Sequence, residues 1–268
     1  MDPALTPMHL RILHFLSFLI VLICSGVAAQ AEAPPLIVGM ELAYPPFEMT
    51  DTAGNPTGIS VDLAGALGLH LKRKVEIQNL PFDGLIPSLK TGRIHLIISS
   101  MTANAERARA IDFSDPYLST GLCLLVAKKS SIQSIADADQ KDRIIAVKQG
   151  TTGHLFSRNL KNAKIVVLDR ESACVLEVVQ AKADAFIYDQ MSVLKHSEQN
   201  SETTRPLLSP FQTESWAIGI RKGDDALRKE VNTFIKTFRE SKGFETLGDR
   251  WLSPQKAAFL RLGIPFVF

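Results

Sequence analysis

The stretch from Ile94 to Tyr117, IHLIISSMTANAERARAIDFSDPY, constrains the fold more than any other part of the chain. Ile94 to Ser99 is a short, β-rich apolar run, the pattern of a buried strand. It stops at Ser99-Ser100-Met101-Thr102, and the helix formers Ala103 to Arg109 follow. A strand that feeds a helix through a hydroxyl-rich turn gathers backbone N–H groups, hydroxyls and a helix N-terminus, the parts of an anion site. Arg107 lies about a turn downstream and offers a planar fork to a carboxylate. A capped helix carrying a solvated arginine is the plainer reading of the same residues.

The pattern repeats on both sides of this stretch. Leu36 to Met40 reads as a first buried strand, and Glu41 to Glu48 follow it directly. Residues just past the carboxyl end of a parallel strand are where open α/β sheets bind ligands. Tyr44 stands there, stiffened by Pro45-Pro46, as a ligand-stacking or a packing aromatic. Asp51 to Gly58 is a turn cluster, read as a hairpin tip, and Ser60 is expected to cap a helix from Val61 to about Lys72. Val75 to Leu80 is a second strand, with Phe82 at its end as a second aromatic wall or a core residue. Phe82 lies in a segment that opens a helix ended by Gly92. Strand, hairpin, helix, strand, helix, strand is a doubly wound pattern.

Leu118 to Ala127 is long for one strand and interrupted by Gly121, so it reads as a first crossing into a second lobe with a hinge near Thr120-Gly121. A short helix (Ser134 to Asp139) and a strand (Arg143 to Lys148) lead to the loop Gln149-Gly150-Thr151-Thr152-Gly153, before a helical stretch from His154 to Leu160. That loop suits a carboxylate; it lacks the Lys-Ser/Thr ending of a P-loop. Ile165 to Leu168 is a strand, and Ser172 is expected to cap a helix to Lys182. Ala183 to Asp189 is a strand ending in an acid that also reads as a helix cap; Asp184, at its start, stays outside the site. A second crossing falls near Ser209 to Ser215, and Trp216 to Arg221 reads as the strand returning to lobe one. A long amphipathic helix runs from Asp224 or Asp225 to about Ser241, and a last one from Gly243 to Trp251-Leu252. The apolar tail, residues 253–268, carries no assigned function.

Arg11 followed by the apolar run Ile12 to Ile23 and small residues to Ala33 reads as a secretory signal, cleaved after Ala29 or Ala31 and taking Cys24 with it. The run is short for a membrane anchor. A net charge of +2 and the lack of a long basic run point away from nucleic acid. Three cysteines without a CxxC pair or a Cys/His cluster of metal spacing point to no metal or cofactor; Cys123 and Cys174 are expected as free thiols.

The order of these residues resembles the solute-binding proteins that feed polar amino acids to bacterial ABC importers, the family 3 type. The resemblance covers nearly all of the expected mature chain and is most specific at Ser99 to Tyr117 and Asp184 to Asp189. It implies an α/β fold of two lobes, each a doubly wound, mostly parallel sheet, joined by two hinge crossings. The organisation it supports is a signal peptide (1–31), lobe one (34–119 and 215–252), lobe two (120–214) and a tail (253–268). It implies that Arg107 grips the ligand α-carboxylate with Ser99, Ser100 and Thr102, that Thr151 and Thr152 hold the ligand from lobe two, and that Asp189 receives the α-ammonium. Glu41 stands at a family acid that meets a distal cation, and Tyr44 at a family aromatic; with Phe82 these complete the expected site. The expected protein is a periplasmic monomer that binds a free amino acid, basic in preference to glutamine and to acidic ones, and delivers it to ABC permease subunits. Ser60 departs from the family's acid at its position. Cyclohexadienyl dehydratases resemble the same family and use a glutamate just beyond the acid at Asp189, where this chain reads Gln190-Met191-Ser192-Val193. A periplasmic sensor on this fold is a further alternative.

Overall fold

The computed structural model describes residues 33–265. The expected signal segment with Cys24 lies outside the described residues, as do residues 266–268 of the tail.

The first sheet contains β1 (Leu36–Met40), β5 (Val75–Asn79), β6 (Leu96–Ile97), β7 (Ile111–Phe113) and β13 (Gly219–Arg221), in the order β5-β1-β6-β13-β7. β5, β1 and β6 pair in parallel, and β13 is antiparallel to both β6 and β7, so four strands run one way and β13 alone runs back. A small antiparallel sheet, β2 (Ala43–Tyr44), β3 (Glu48–Thr50) and β4 (Pro56–Thr57), forms the expected hairpin. Around the first sheet lie α1 (Ile59–His70), a 3-10 turn (Phe82–Gly84), α2 (Leu85–Lys90), α3 (Ala105–Ala108), α8 (Asp225–Glu240), α9 (Gly243–Trp251) and α10 (Ser253–Arg261).

The second sheet repeats the plan. It contains β8 (Leu118–Ala127), β9 (Ile144–Lys148), β10 (Lys164–Leu168), β11 (Ala185–Asp189) and β12 (Thr204–Trp216), in the order β10-β9-β11-β8-β12, with β8 the one reversed strand. Its helices are α4 (Ile135–Ala138), α5 (Thr152–Ser157), α6 (Glu171–Val179) and α7 (Gln190–Gln199). Side chains alternate between its faces, as a pleated strand requires. Leu122, Leu124 and Val126 pack with Val147 and Ile187 on one side; Cys123 and Leu125 pack with Cys174, Val178 and Phe186 on the other. Parallel strands in each sheet end at one edge, and that edge collects Glu41 and Ser99 in one lobe and Lys148 and Asp189 in the other.

β8 is a single strand that passes through Gly121 without a break. The glycine is needed for close approach: a Cβ at that position would stand 2.7 Å from the Gln212 carbonyl oxygen on β12 and 2.6 Å from Pro210. The sequence reading erred at three other boundaries. α1 begins at Ile59 behind Gly58, and Ser60 is inside the helix. The Ile59 and Ser60 N–H groups donate to the Pro46 and Phe47 carbonyls, and the Ser60 hydroxyl goes to Glu48, so no side-chain cap forms. Likewise α6 follows Arg170, and Ser172 caps nothing. Trp216 closes β12 and does not open the returning strand.

The tail also proves structural. Residues 253–261 form α10, with a proline in the first turn, and Ala258 and Phe259 enter the same core as Leu247 of α9 and Leu194 of α7. Phe259 is 2% exposed and Leu260 81%. Phe259→Ala should therefore cost about 3–5 kcal/mol of unfolding free energy, against less than about 0.5 kcal/mol for Leu260→Ala. Equal denaturant midpoints for the two variants would contradict this packing. Cys123 and Cys174 are free and buried, and burial pushes both thiols up to about 12. Thiol reagents should label neither in the native protein and both after unfolding, as read by peptide mapping.

Candidate functional site

All ten residues expected from sequence line one cavity between the strand edges of the two lobes: Glu41, Tyr44, Phe82, Ser99, Ser100, Thr102, Arg107, Thr151, Thr152 and Asp189. Glu48, Leu122, Tyr188, Glu214 and Trp216 complete its wall.

Arg107 is placed by its own short helix. The Asn104 side chain caps α3 by accepting from the Arg107 N–H at 2.8 Å. The guanidinium folds back, donating through Nη1 to the Thr102 carbonyl at 2.7 Å and through Nη2 to the Gly150 carbonyl of the other lobe at 3.0 Å. It lies 5.4 Å from the Phe82 ring centroid and is 6% exposed. Burial lowers its pKa only to about 10, so it is cationic at neutral pH. Neutral carbonyls satisfy two of its five N–H donors; the Glu214 and Glu106 carboxylates act on it from beyond ion-pair distance.

Acids dominate the rest of the cavity. Asp189 ends β11 and caps α7, accepting from the Met191 and Ser192 N–H groups at 3.1 Å each. Burial, then the neighbouring Glu171 carboxylate, pushes its pKa up to about 7. Glu214, on β12, accepts from the Thr102 and Thr152 hydroxyls at 3.1 Å each, one from either lobe; its pKa is raised by burial. Glu48 accepts from Ser60 at 2.6 Å, Ser100 at 3.1 Å and Ser99 at 3.3 Å, and burial pushes it up to about 8. Glu41 is paired with Lys148, which reaches across from the end of β9 and sits 5.5 Å from the Phe82 ring centroid.

Several of the expected residues hydrogen-bond to groups of the protein itself. The hydroxyls of Ser99, Ser100, Thr102 and Thr152 turn toward the acids Glu48 and Glu214. The Thr151 hydroxyl donates to the Lys148 carbonyl at 2.7 Å and caps α5 at the His154 N–H. Ser100 holds a left-handed backbone, φ 48°, uncommon outside glycine and asparagine, which turns the chain sharply at the strand end. Phe82 and Tyr44 both line the cavity, and Tyr44 has other aromatic neighbours. It stacks on Phe47, centroids 5.3 Å apart, and meets Tyr188 and Trp216 edge-on, while Phe82 faces the two cations.

Lys148 and Tyr188 were within reach of the strand-end argument, since each stands at or beside the end of a strand, whereas Glu48 opens β3. Glu214 was hidden in a segment read only as a crossing, and Trp216 in one read as the returning strand.

Comparison with known proteins agrees with this architecture. The model of the bacterial extracellular solute-binding proteins, family 3, matches residues 36–254. A probable histidine-binding protein of Neisseria gonorrhoeae is 27% identical over 243 residues, covering 87% of this chain and 90% of that protein. The L-cystine-binding protein TcyJ of Escherichia coli strain K12 is 28% identical over 222 residues, covering 82% and 83%. Among solved structures, an ancestral amino acid-binding protein described as a precursor of cyclohexadienyl dehydratase shares 33% identity at a TM-score of 0.75, covering 82% of this chain and 95% of that one. With a two-lobed fold and a match over most of its length, this chain belongs to the bacterial extracellular solute-binding proteins, family 3.

Proposed function

We propose that the protein binds a polar amino acid between its lobes, outside the cytoplasm, and delivers it to the membrane subunits of an ABC importer. One observation carries the reading: a buried guanidinium at Arg107 with no carboxylate hydrogen-bonded to it and a buried acid at Asp189 share one cavity. A zwitterion supplies the missing charge to each, its carboxylate to Arg107 and its ammonium to Asp189. Buried charges are tolerable only when paired in this way. Contacts from both lobes, Arg107 to Gly150 and Glu214 to Thr102 and Thr152, fit closure around a ligand. The histidine- and cystine-binding relatives support an amino acid as ligand. Export is supported by the secretory pattern at the N-terminus, and among the described residues no helix is long and apolar enough to cross a membrane. The dehydratase alternative lacks its glutamate, because the residues after Asp189 are Gln190, Met191, Ser192 and Val193.

Arg107→Ala should abolish measurable binding across an amino-acid panel in calorimetry, a loss of about 3–5 kcal/mol. Unchanged affinity would remove Arg107 from the site. The acids give a pH prediction. Glu48 and Asp189 have folded-state values near 8 and 7, above their ordinary 4.5 and 3.8. Across that interval the folded state binds more protons than the unfolded one, so stability falls as pH rises. The ligand-free melting temperature should drop between about pH 5 and about pH 8, and Asp189→Asn should flatten the drop. A melting temperature that rises over this range would contradict the burial of these acids as unmatched groups.

A further inference from the structure

We propose that the pole of lobe one opposite the cleft docks the protein on the anionic headgroup surface of a membrane, through a patch of exposed cations around Leu69. No residue of the cleft takes part, so this docking and the amino-acid reading stand or fall separately.

Parallel pairing gives the first sheet two unlike ends. The carboxyl ends of β1, β5 and β6 face the cleft, and their amino ends gather at the other pole. Register fixes which residues meet there: Leu36 lies opposite Val75, Val38 opposite Leu96, Leu96 opposite Ile220, and Arg221 opposite Ile111. Lys74 before β5, Arg93 before β6, Arg109 before β7 and Arg221 at the end of the reversed β13 therefore share this pole. Short turns join α1 to β5 and α2 to β6, so Lys72 and Lys90 stand beside them. All six are exposed, and among the described residues none forms an ion pair. Two acids of the pole, Asp112 and Asp225, are already matched by Lys222 and Arg228. Glu76 on β5 is an exposed acid beside the patch. Arg73 adds to the positive field: it and Arg221 both act on the half-buried His95, whose pKa is lowered by burial and then by these two charges.

Cations at the ends of α1 and α2 also complement the helix dipoles, which is the plainer reading of Lys72 and Lys90. It does not account for Arg93, Arg109 and Arg221, which flank strands. Nor does the second sheet share the pattern. At the amino ends of its strands Lys141, Lys161 and Lys164 are interspersed with Asp139 and Asp142, and Asp184 pairs with Arg143. Leu69, in the last turn of α1, is 83% exposed at the basic pole. Cations around an exposed aliphatic side chain suit a lipid surface: the charges meet phosphates and the apolar tip enters the headgroup layer. A soluble polyanion would answer the charges and not Leu69. The chain also enters lobe one here, where Arg73 donates to the Pro35 carbonyl at 3.0 Å and the Leu36 N–H to the Lys74 carbonyl at 2.7 Å. The apolar run expected as a secretory signal ends at Ile23, and the ten residues from there to Ala33 reach at most about 35 Å when extended. A membrane that holds that run during export therefore lies next to this pole.

Co-sedimentation of the purified exported protein with vesicles of phosphatidylcholine, with and without phosphatidylglycerol, tests the proposal. The protein should bind the anionic vesicles, leave the neutral ones, and be released as salt rises. Changing Lys74→Gln, Lys90→Gln and Arg93→Gln together should weaken vesicle binding on the order of 100-fold. The same loss of charge on lobe two, Lys141→Gln, Lys161→Gln and Lys164→Gln, should leave it unchanged, and neither set should alter amino-acid affinity. Leu69→Ser should weaken vesicle binding about 5-fold and leave retention on immobilised heparin as it was. Wild-type protein that shows no preference for anionic over neutral vesicles would overturn the proposal without any variant. Equal losses from the two sets of substitutions would reduce the effect to net charge and overturn it as well. Loss of heparin and vesicle binding in the pole variant, with no effect of Leu69→Ser on either, would reassign the patch to a soluble acidic partner and contradict membrane docking.

Discussion

The cleft depends on burying one guanidinium. Arg107 is removed from water almost completely, yet its two hydrogen-bonded partners are neutral carbonyls, from Thr102 and Gly150. Water would stabilise such a charge strongly, and a protein interior does so only with an opposite charge or oriented dipoles. The surrounding sequence is arranged to hold it in place. Asn104 fixes the start of its helix, the sharp turn at Ser100 brings Thr102 under it, and the Phe82 ring faces it. The carbonyl from Gly150 ties this arrangement to the second lobe, so the charge is buried by two bodies of structure rather than one.

Topology explains how the partners arrive. Each lobe orders its strands in the same way, with a single reversed strand next to one edge. Parallel strands deliver their carboxyl ends to one side, where short loops and helix starts leave donors and charges unshared. β8 and β12 pair over most of their length as they pass between lobes, and β12 brings Glu214 and Trp216 into the cavity. The excess of buried acids follows from this convergence. It leaves the cleft rich in groups that burial inclines to hold protons.

Much of this was legible in the chain itself. Strand runs that stop at small or hydroxyl residues mark their own ends, so Glu41, Ser99, Thr151 and Asp189 could be placed without coordinates. Direction and partnership were less legible, because they depend on residues far apart in sequence. Glu41 and Lys148 meet across 107 positions, and Thr102 and Glu214 across 112. Ser60 shows the same limit at a helix start. Its hydroxyl suits a cap locally, but a buried carboxylate twelve positions earlier takes it at 2.6 Å, and backbone carbonyls satisfy the helix instead. The tail carried no assigned role in the sequence, and its α10 enters the core beside α9 and α7.

A crystal structure of the protein with its tightest-binding amino acid tests the central claim most directly. The account predicts the ligand carboxylate on the Arg107 guanidinium and the α-ammonium on the Asp189 carboxylate, each at about 2.7–2.9 Å. A ligand seated in the cleft with its carboxylate away from Arg107, or its ammonium away from Asp189, would contradict it.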